Sequence, residues 1–292
     1  MNAKLLDKLC QLDAKWMSLT FFIVLNSALM IALRYCTIYS DPSTPYISTT
    51  AVLFAEFIKL FLSLIICLIF DANGDSRSLL NVLYRGFIEE KNDCLKVAIP
   101  AILYTIQNNL QYVIETAPLF QMLYQLKLLS TAVFYTTLLS QRLTLREWMA
   151  ILALMIGVSM VQSSQTDIQQ HHATLLVGVE SVVIACFISG LAGVSFEKIV
   201  KSSKSSIWLV NIQLSLMCTG MALLTCWFEG FRDLEKDGSF VRGYNKYVVI
   251  VILLQSITGL VSSSHIKQDK KILLRFFVSD VLYFLFTLYL YL

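Results

Sequence analysis

Charge is scarce in this chain: Asp, Glu, Lys and Arg make up 15% of its 292 residues, while hydrophobic residues make up 57%. So little charge cannot cover so large an apolar load, which excludes an ordinary water-soluble globule. Proline is scarcer still, at four residues, so few helices are interrupted. The longest polar segment, 71–94, leaves no room for a second soluble domain. The seven cysteines, at 10, 36, 67, 94, 186, 218 and 226, form no CxxC pair and no zinc-like spacing with histidine. They read as small apolar residues. His171 and His172 share the polar loop SSQTDIQQHH without a third ligand, so neither a metal site nor a cofactor is expected. The net charge of +3 comes without a basic, aromatic-interleaved domain, which excludes a nucleic-acid binder.

What the chain has instead is a series of about nine apolar runs of spanning length, roughly 17–39, 47–70, 95–115, 117–140, 147–163, 174–196, 207–229, 246–266 and 273–292. They lack the period-two alternation of barrel strands, and backbone groups in hydrocarbon must be paired within the segment. The predicted fold is therefore all-α, a single polytopic membrane helix bundle over residues 1–292. Residues 1–16 carry mixed charge and the first run is full length, so it reads as a signal anchor rather than a cleavable leader. Lys and Arg concentrate in alternate loops, which places the N-terminus in the cytosol and the loops around 40–46, 164–173 and 230–245 on the opposite side.

Polar residues inside these runs are the candidate functional groups. Lys127 stands in the fourth run, too far from either end to snorkel comfortably, and a buried intramembrane charge commonly marks a substrate or ion path. An ion pair that only holds helices together is the plainer alternative. Phe120, Tyr124, Lys127 and Thr131 share one helical face, as do Tyr104, Asn108 and Gln111 in the preceding run. The short connection between those two runs predicts an antiparallel pair. Glu56 and Lys59, three residues apart, are either a structural pair or a cavity-facing lysine tuned by its neighbour. In FISGLAGVSFEK the small residues Ser189, Gly190, Ala192 and Gly193 permit close approach of another backbone. Asn211 and Ser215 share a face of the seventh run, and the eighth ends with Ser262, Ser263 and Ser264 before Lys267. Together these groups suit an anionic ligand that carries hydroxyls and a base.

The stretches YTIQNN, YQLKLLSTAVF, FEKIVKSS and NIQL resemble the nucleotide-sugar transporters of the Golgi, within the drug/metabolite transporter superfamily, over about residues 20–267. The resemblance implies ten helices in two inverted five-helix repeats, here about 17–163 and 174–292, with the ligand between the repeats and alternating access. Carried over by position, it implies that Lys127, Tyr104 and Asn108 line the nucleotide pocket, with Ser189, Asn211 and Ser263 at further pocket positions. Glu56 and Lys59 match the family's E-x-x-K pair, and Lys267 its first basic position after the eighth helix. Tyr124 joins this set as the phenol beside Lys127. Phe120 and Val210 depart from the usual tyrosine and arginine, and the small Ser215 leans towards a UDP-sugar over CMP-sialate. Beyond Lys267 the sequence offers residues for one further span where the family has two, so a nine-helix form with the last helix missing and reduced or partner-dependent transport is expected.

The leading reading is a non-enzymatic antiporter that brings a UDP-sugar, of the galactose or N-acetylglucosamine type, into the Golgi lumen in exchange for UMP, with the endoplasmic reticulum as the second location. Its surroundings would be membrane lipid and, as partners, a second copy, related transporters or glycosyltransferases. The alternative is a family member that scaffolds such partners without transporting. A membrane-embedded glycosyltransferase is disfavoured, since no Asp-x-Asp site sits in a sizeable lumenal segment and RDLEKDG reads as a solvated charge run.

Overall fold

The computed structural model describes residues 20–29, 31–33, 35–36, 39, 46–114, 126–163, 172–203, 205–237, 241 and 243–268. Their regular structure is entirely helical: α1 (Thr20–Leu33), α2 (Ser48–Phe70), α3 (Ser76–Tyr84), a π-turn (Arg85–Glu89), α4 (Lys91–Ile114), α5 (Leu126–Leu138), α6 (Leu145–Ser163), α7 (His172–Ser202), α8 (Ile207–Asp237) and α9 (Lys246–Gln268). Four segments among them, Ser48–Phe70, Glu180–Ser202, Ile207–Trp227 and Lys246–Ser264, are long and apolar enough to cross a membrane. The chain is thus a polytopic helical membrane protein. Eight of the nine apolar runs contain a described helix, and the run at 273–292 lies outside the described residues.

Helix α2 shows why these segments fold in lipid. Its large side chains Phe54, Phe57, Phe61, Ile65 and Ile69 recur at helical spacing and face outward. The opposite face is small or polar, with Ala51, Val52, Ala55, Glu56, Ser63 and Cys67 buried against other helices. Lipid is as apolar as a leucine, so association depends on close packing and hydrogen bonds, and the small face turns inward. The six described cysteines obey the same rule, all buried and unbridged.

The segment 71–94, read from sequence only as polar, contains a helix. Asp75 caps α3 by accepting from the Arg77 and Ser78 amides. The π-turn follows, with the Gly86 carbonyl accepting from Gln213 Nε2 at 2.8 Å, and α4 begins at Lys91. Helices α7 and α8 also outrun their apolar cores. The turn carrying FEKIVKS stays helical because Glu197 and Lys201, one turn apart, form an ion pair.

Packing is organised around α7 and α8. Helix α2 lies chiefly against α8 and α9, whereas α4 packs on α7 and α8. The predicted antiparallel pairing of the third and fourth runs turns on residues 115–125, which lie outside the described residues; among the described residues, α4 and α5 each pack mainly on α7. The reason lies in contact chemistry. Ser130 Oγ on α5 donates to the Cys186 carbonyl on α7 at 2.6 Å, and a Cβ placed on Gly190 would stand 2.8 Å from the Thr131 amide nitrogen. On the other flank Tyr104 meets Phe196 edge-on at 6.1 Å.

Two ends of the bundle are clasped. At one, Ser205 Oγ bonds Glu90 and Phe70 stacks on Trp208. At the other, Tyr39 stacks on Tyr247 at 5.1 Å, and Asn245 Nδ2 donates to the Tyr39 carbonyl. Burial pushes the Tyr244 phenol above its usual range, so it stays protonated to share a hydrogen bond with Thr50 at 2.9 Å.

Candidate functional site

Helix α2 delivers one cation to the interior. Lys59 Nζ lies 2.5 Å from Glu56 Oε2, and the two side chains are 14% and 7% exposed. Lys59 is paired on its own helix, as the first of the two alternatives has it, and its stem also lies against the facing helix α9. There a Cβ built on Gly259 would meet Lys59 Cδ at 3.2 Å and Nζ at 4.0 Å.

Helices α8 and α9 supply hydrogen-bonding groups beside it. Asn211 Nδ2 donates to Ser263 Oγ at 2.7 Å, and that hydroxyl in turn donates to the Leu260 carbonyl at 2.8 Å. Ser215, one turn beyond Asn211, is fully buried, and its Oγ makes no hydrogen bond among the described residues. Tyr104 approaches from α4, within electrostatic reach of both Glu56 and Glu197. Cys218 on α8 stands within reach of Glu56 and Lys59. Glu56, Lys59, Tyr104, Asn211 and Ser263 are thus gathered where α2, α4, α8 and α9 meet.

A further cation is carried by α5, which packs on α7. Lys127 is the second residue of α5 and is half-buried, within electrostatic reach of Cys186. Thr131, one turn on and on the same face as expected, donates its hydroxyl to the Lys127 carbonyl at 2.7 Å. Ser189 is half-buried beside Gly190, where α7 meets α5. Asn108 is half-buried one turn beyond Tyr104, and the Oε1 of its neighbour Gln107 is buried without a partner among the described residues. Tyr124 lies outside the described residues, and Lys267 belongs to α9 by its backbone alone. Of the predicted residues, direct contacts thus join Glu56 to Lys59 and Asn211 to Ser263, and the Tyr104–Phe196 contact ties α4 to α7.

Sequence reasoning missed Gly259 and Ser130. A glycine between Thr258 and Leu260 inside an apolar run was the available signal for the first, since glycine in a helix interior is unfavourable without a packing reason. Of the small residues it did single out, Gly190 makes the close approach and Gly193 faces open space.

A family model described as nucleotide-sugar transporter matches residues 10–289. The chain is 41% identical over 282 residues to a UDP-N-acetylglucosamine/UDP-N-acetylgalactosamine transporter of Caenorhabditis elegans, covering 91% of this chain and 82% of that protein. It is 36% identical over 274 residues to the UDP-N-acetylglucosamine transporter of Homo sapiens, covering 91% and 84%. To the UDP-galactose translocator of Bos taurus it is 35% identical over 274 residues, covering 91% and 68%. The family model spans nearly the whole chain and relatives 35–41% identical cover 91% of it, so this protein belongs to the nucleotide-sugar transporter family.

Proposed function

We propose that the protein carries a UDP-sugar of the galactose or N-acetylglucosamine type into the Golgi lumen in exchange for UMP. The observation that carries this reading is the buried Lys59, held between Glu56 and Gly259 beside Asn211 and Ser263. A shielded ammonium attracts a phosphate strongly because little water competes, and amide and hydroxyl groups beside it suit ribose and base. The relatives named above are transporters of UDP-sugars, which supports uracil nucleotides as the ligand class.

Exchange follows from charge. Moving a buried cation through an occluded state is costly, and an anionic nucleotide lowers that cost by neutralising it. UDP-sugar and UMP both bring phosphate, which Lys127 and, in competition with its partner Glu56, Lys59 would meet, so either one permits the swing. The helix pairings support two inverted repeats. Helix α2 packs on its counterpart α8, while the packing of α4 on α7 and α8 is answered by that of α9 on α1 and α2. A ligand between such repeats is reached alternately from each side. The Lys and Arg bias of the loops supports a cytosolic N-terminus.

Thermal melting of the purified protein tests the site. UMP at a hundredfold excess over its Kd stabilises the wild type by about 3 kcal/mol. Lys127→Ala is expected to melt as a folded protein and to lose that stabilisation. Lys127→Arg is impaired as well, because a planar guanidinium differs in shape and hydration from an ammonium. An alanine variant stabilised as strongly as the wild type removes Lys127 from the site.

A further inference from the structure

Three contacts define the face of α9 that looks into the bundle. Ser256 Oγ donates to the Ala55 carbonyl of α2 at 2.9 Å, Gly259 meets the stem of Lys59, and Ser263 accepts from Asn211 of α8. Residues 256, 259 and 263 follow helical spacing, so they form one stripe. Gly259 is the position on that stripe without a side chain, and the lysine stem occupies the space where one would be. An alanine there would press its Cβ to 3.2 Å from Lys59 Cδ. The stem must then give by a few tenths of an ångström at Cδ, and that displacement is passed along the side chain to the ammonium 2.5 Å from Glu56 only where the stem cannot absorb it.

We propose that Gly259 is a positioning residue for Lys59. By leaving its space to the lysine stem, it sets where the ammonium stands between Glu56 and α9, and so how the cation meets the nucleotide. The inference rests on the nucleotide site proposed above. Gly259 touches no ligand and acts through Lys59 alone. Alanine is the better helix former, so without the lysine in the way Gly259→Ala would leave the helix more stable. The sign of its effect therefore reports the contact.

The test is a cycle of four proteins: wild type, Gly259→Ala, the charge-free background Glu56→Gln with Lys59→Ala, and that background with Gly259→Ala. Melting without nucleotide is compared across all four, and uptake of UDP-N-acetylglucosamine and UDP-galactose is measured in proteoliposomes for the first two. Gly259→Ala is expected to lower the melting temperature in the wild type and not in the charge-free background. It should raise the uptake KM about three- to tenfold with kcat little changed, which lies in the lower part of the range of coupling between residues in contact. If Gly259→Ala does not fold alone, recovery of folding in the charge-free background supports the contact, and failure there too overturns it. An equal melting loss in both backgrounds, or an unchanged KM, also overturns the inference and leaves Gly259 as ordinary helix packing. A wild type with neither uptake nor stabilisation by UMP overturns the proposed function and the positioning role with it. The melting comparison, which needs no nucleotide, still shows whether the seat itself exists.

Discussion

Lys59→Met is expected to destabilise the protein by about 3–5 kcal/mol, since it strands the Glu56 carboxylate, 5% exposed, without its cation. A buried charge that loses its partner keeps its desolvation cost and forfeits the attraction that offset it. Methionine has nearly the length of the lysine stem, so contact with Gly259 survives and the loss reports charge rather than volume. Combining Lys59→Met with Glu56→Gln should recover most of the stability, because the site then buries no net charge. Nucleotide binding should not return with it, as the cation that meets phosphate is gone. Melting curves with and without UMP for the two single variants and the double variant separate these effects. Restored UMP binding in the double variant would mean that the pair is structural and that phosphate is met elsewhere.

Gly190→Ala is expected to be at least as damaging, for a different reason. Its Cβ would stand 2.5 Å from Ser130 Oγ, 2.8 Å from the Thr131 nitrogen and 2.9 Å from the Ser130 carbonyl carbon. Two of these neighbours are backbone, which cannot rotate away, so α5 and α7 must separate. Overpacking of this kind costs roughly 3 kcal/mol, and the separation also breaks the hydrogen bond from Ser130 to Cys186. Ser130→Ala alone removes the hydroxyl contact but not the backbone contacts, so it should not rescue Gly190→Ala. Folded yield in detergent and melting temperature measure both. Rescue by Ser130→Ala would show that the hydroxyl, not the helix backbone, sets the approach. Gly193→Ala is the control, since its Cβ would meet nothing within 4 Å.

The contrast between those two glycines marks what the sequence could and could not reveal. Both sit in FISGLAGVSFEK, and composition alone ranks them equally as sites of close approach. Only the direction of the neighbouring helix distinguishes them, and a one-dimensional pattern does not contain it. The spans themselves were legible because apolar length is a local property. Glu56, Lys59, Asn211 and Ser263 were legible as candidates because a polar side chain inside an apolar run is rare and costly. Helical periodicity assigned Thr131 to the face of Lys127, but it cannot report that a threonine hydroxyl turns back onto its own helix, as the bond to the Lys127 carbonyl shows. The antiparallel pairing of the third and fourth runs followed from a short connection. The sequence does not show that α7 offers α5 a glycine and a carbonyl acceptor, and offers α4 an aromatic partner. The helix at 76–84 escaped notice because it is far shorter than a membrane span, and its cap, Asp75, follows a glycine that reads as a turn.

The most direct test of the central claim is uptake by purified protein in proteoliposomes, with UDP-N-acetylglucosamine, UDP-galactose, UDP-N-acetylgalactosamine and CMP-sialate offered to vesicles that are empty or loaded with UMP. The account predicts uptake of a UDP-sugar that is accelerated by internal UMP, with CMP-sialate carried poorly. Absence of nucleotide-sugar uptake from both empty and UMP-loaded vesicles would contradict it.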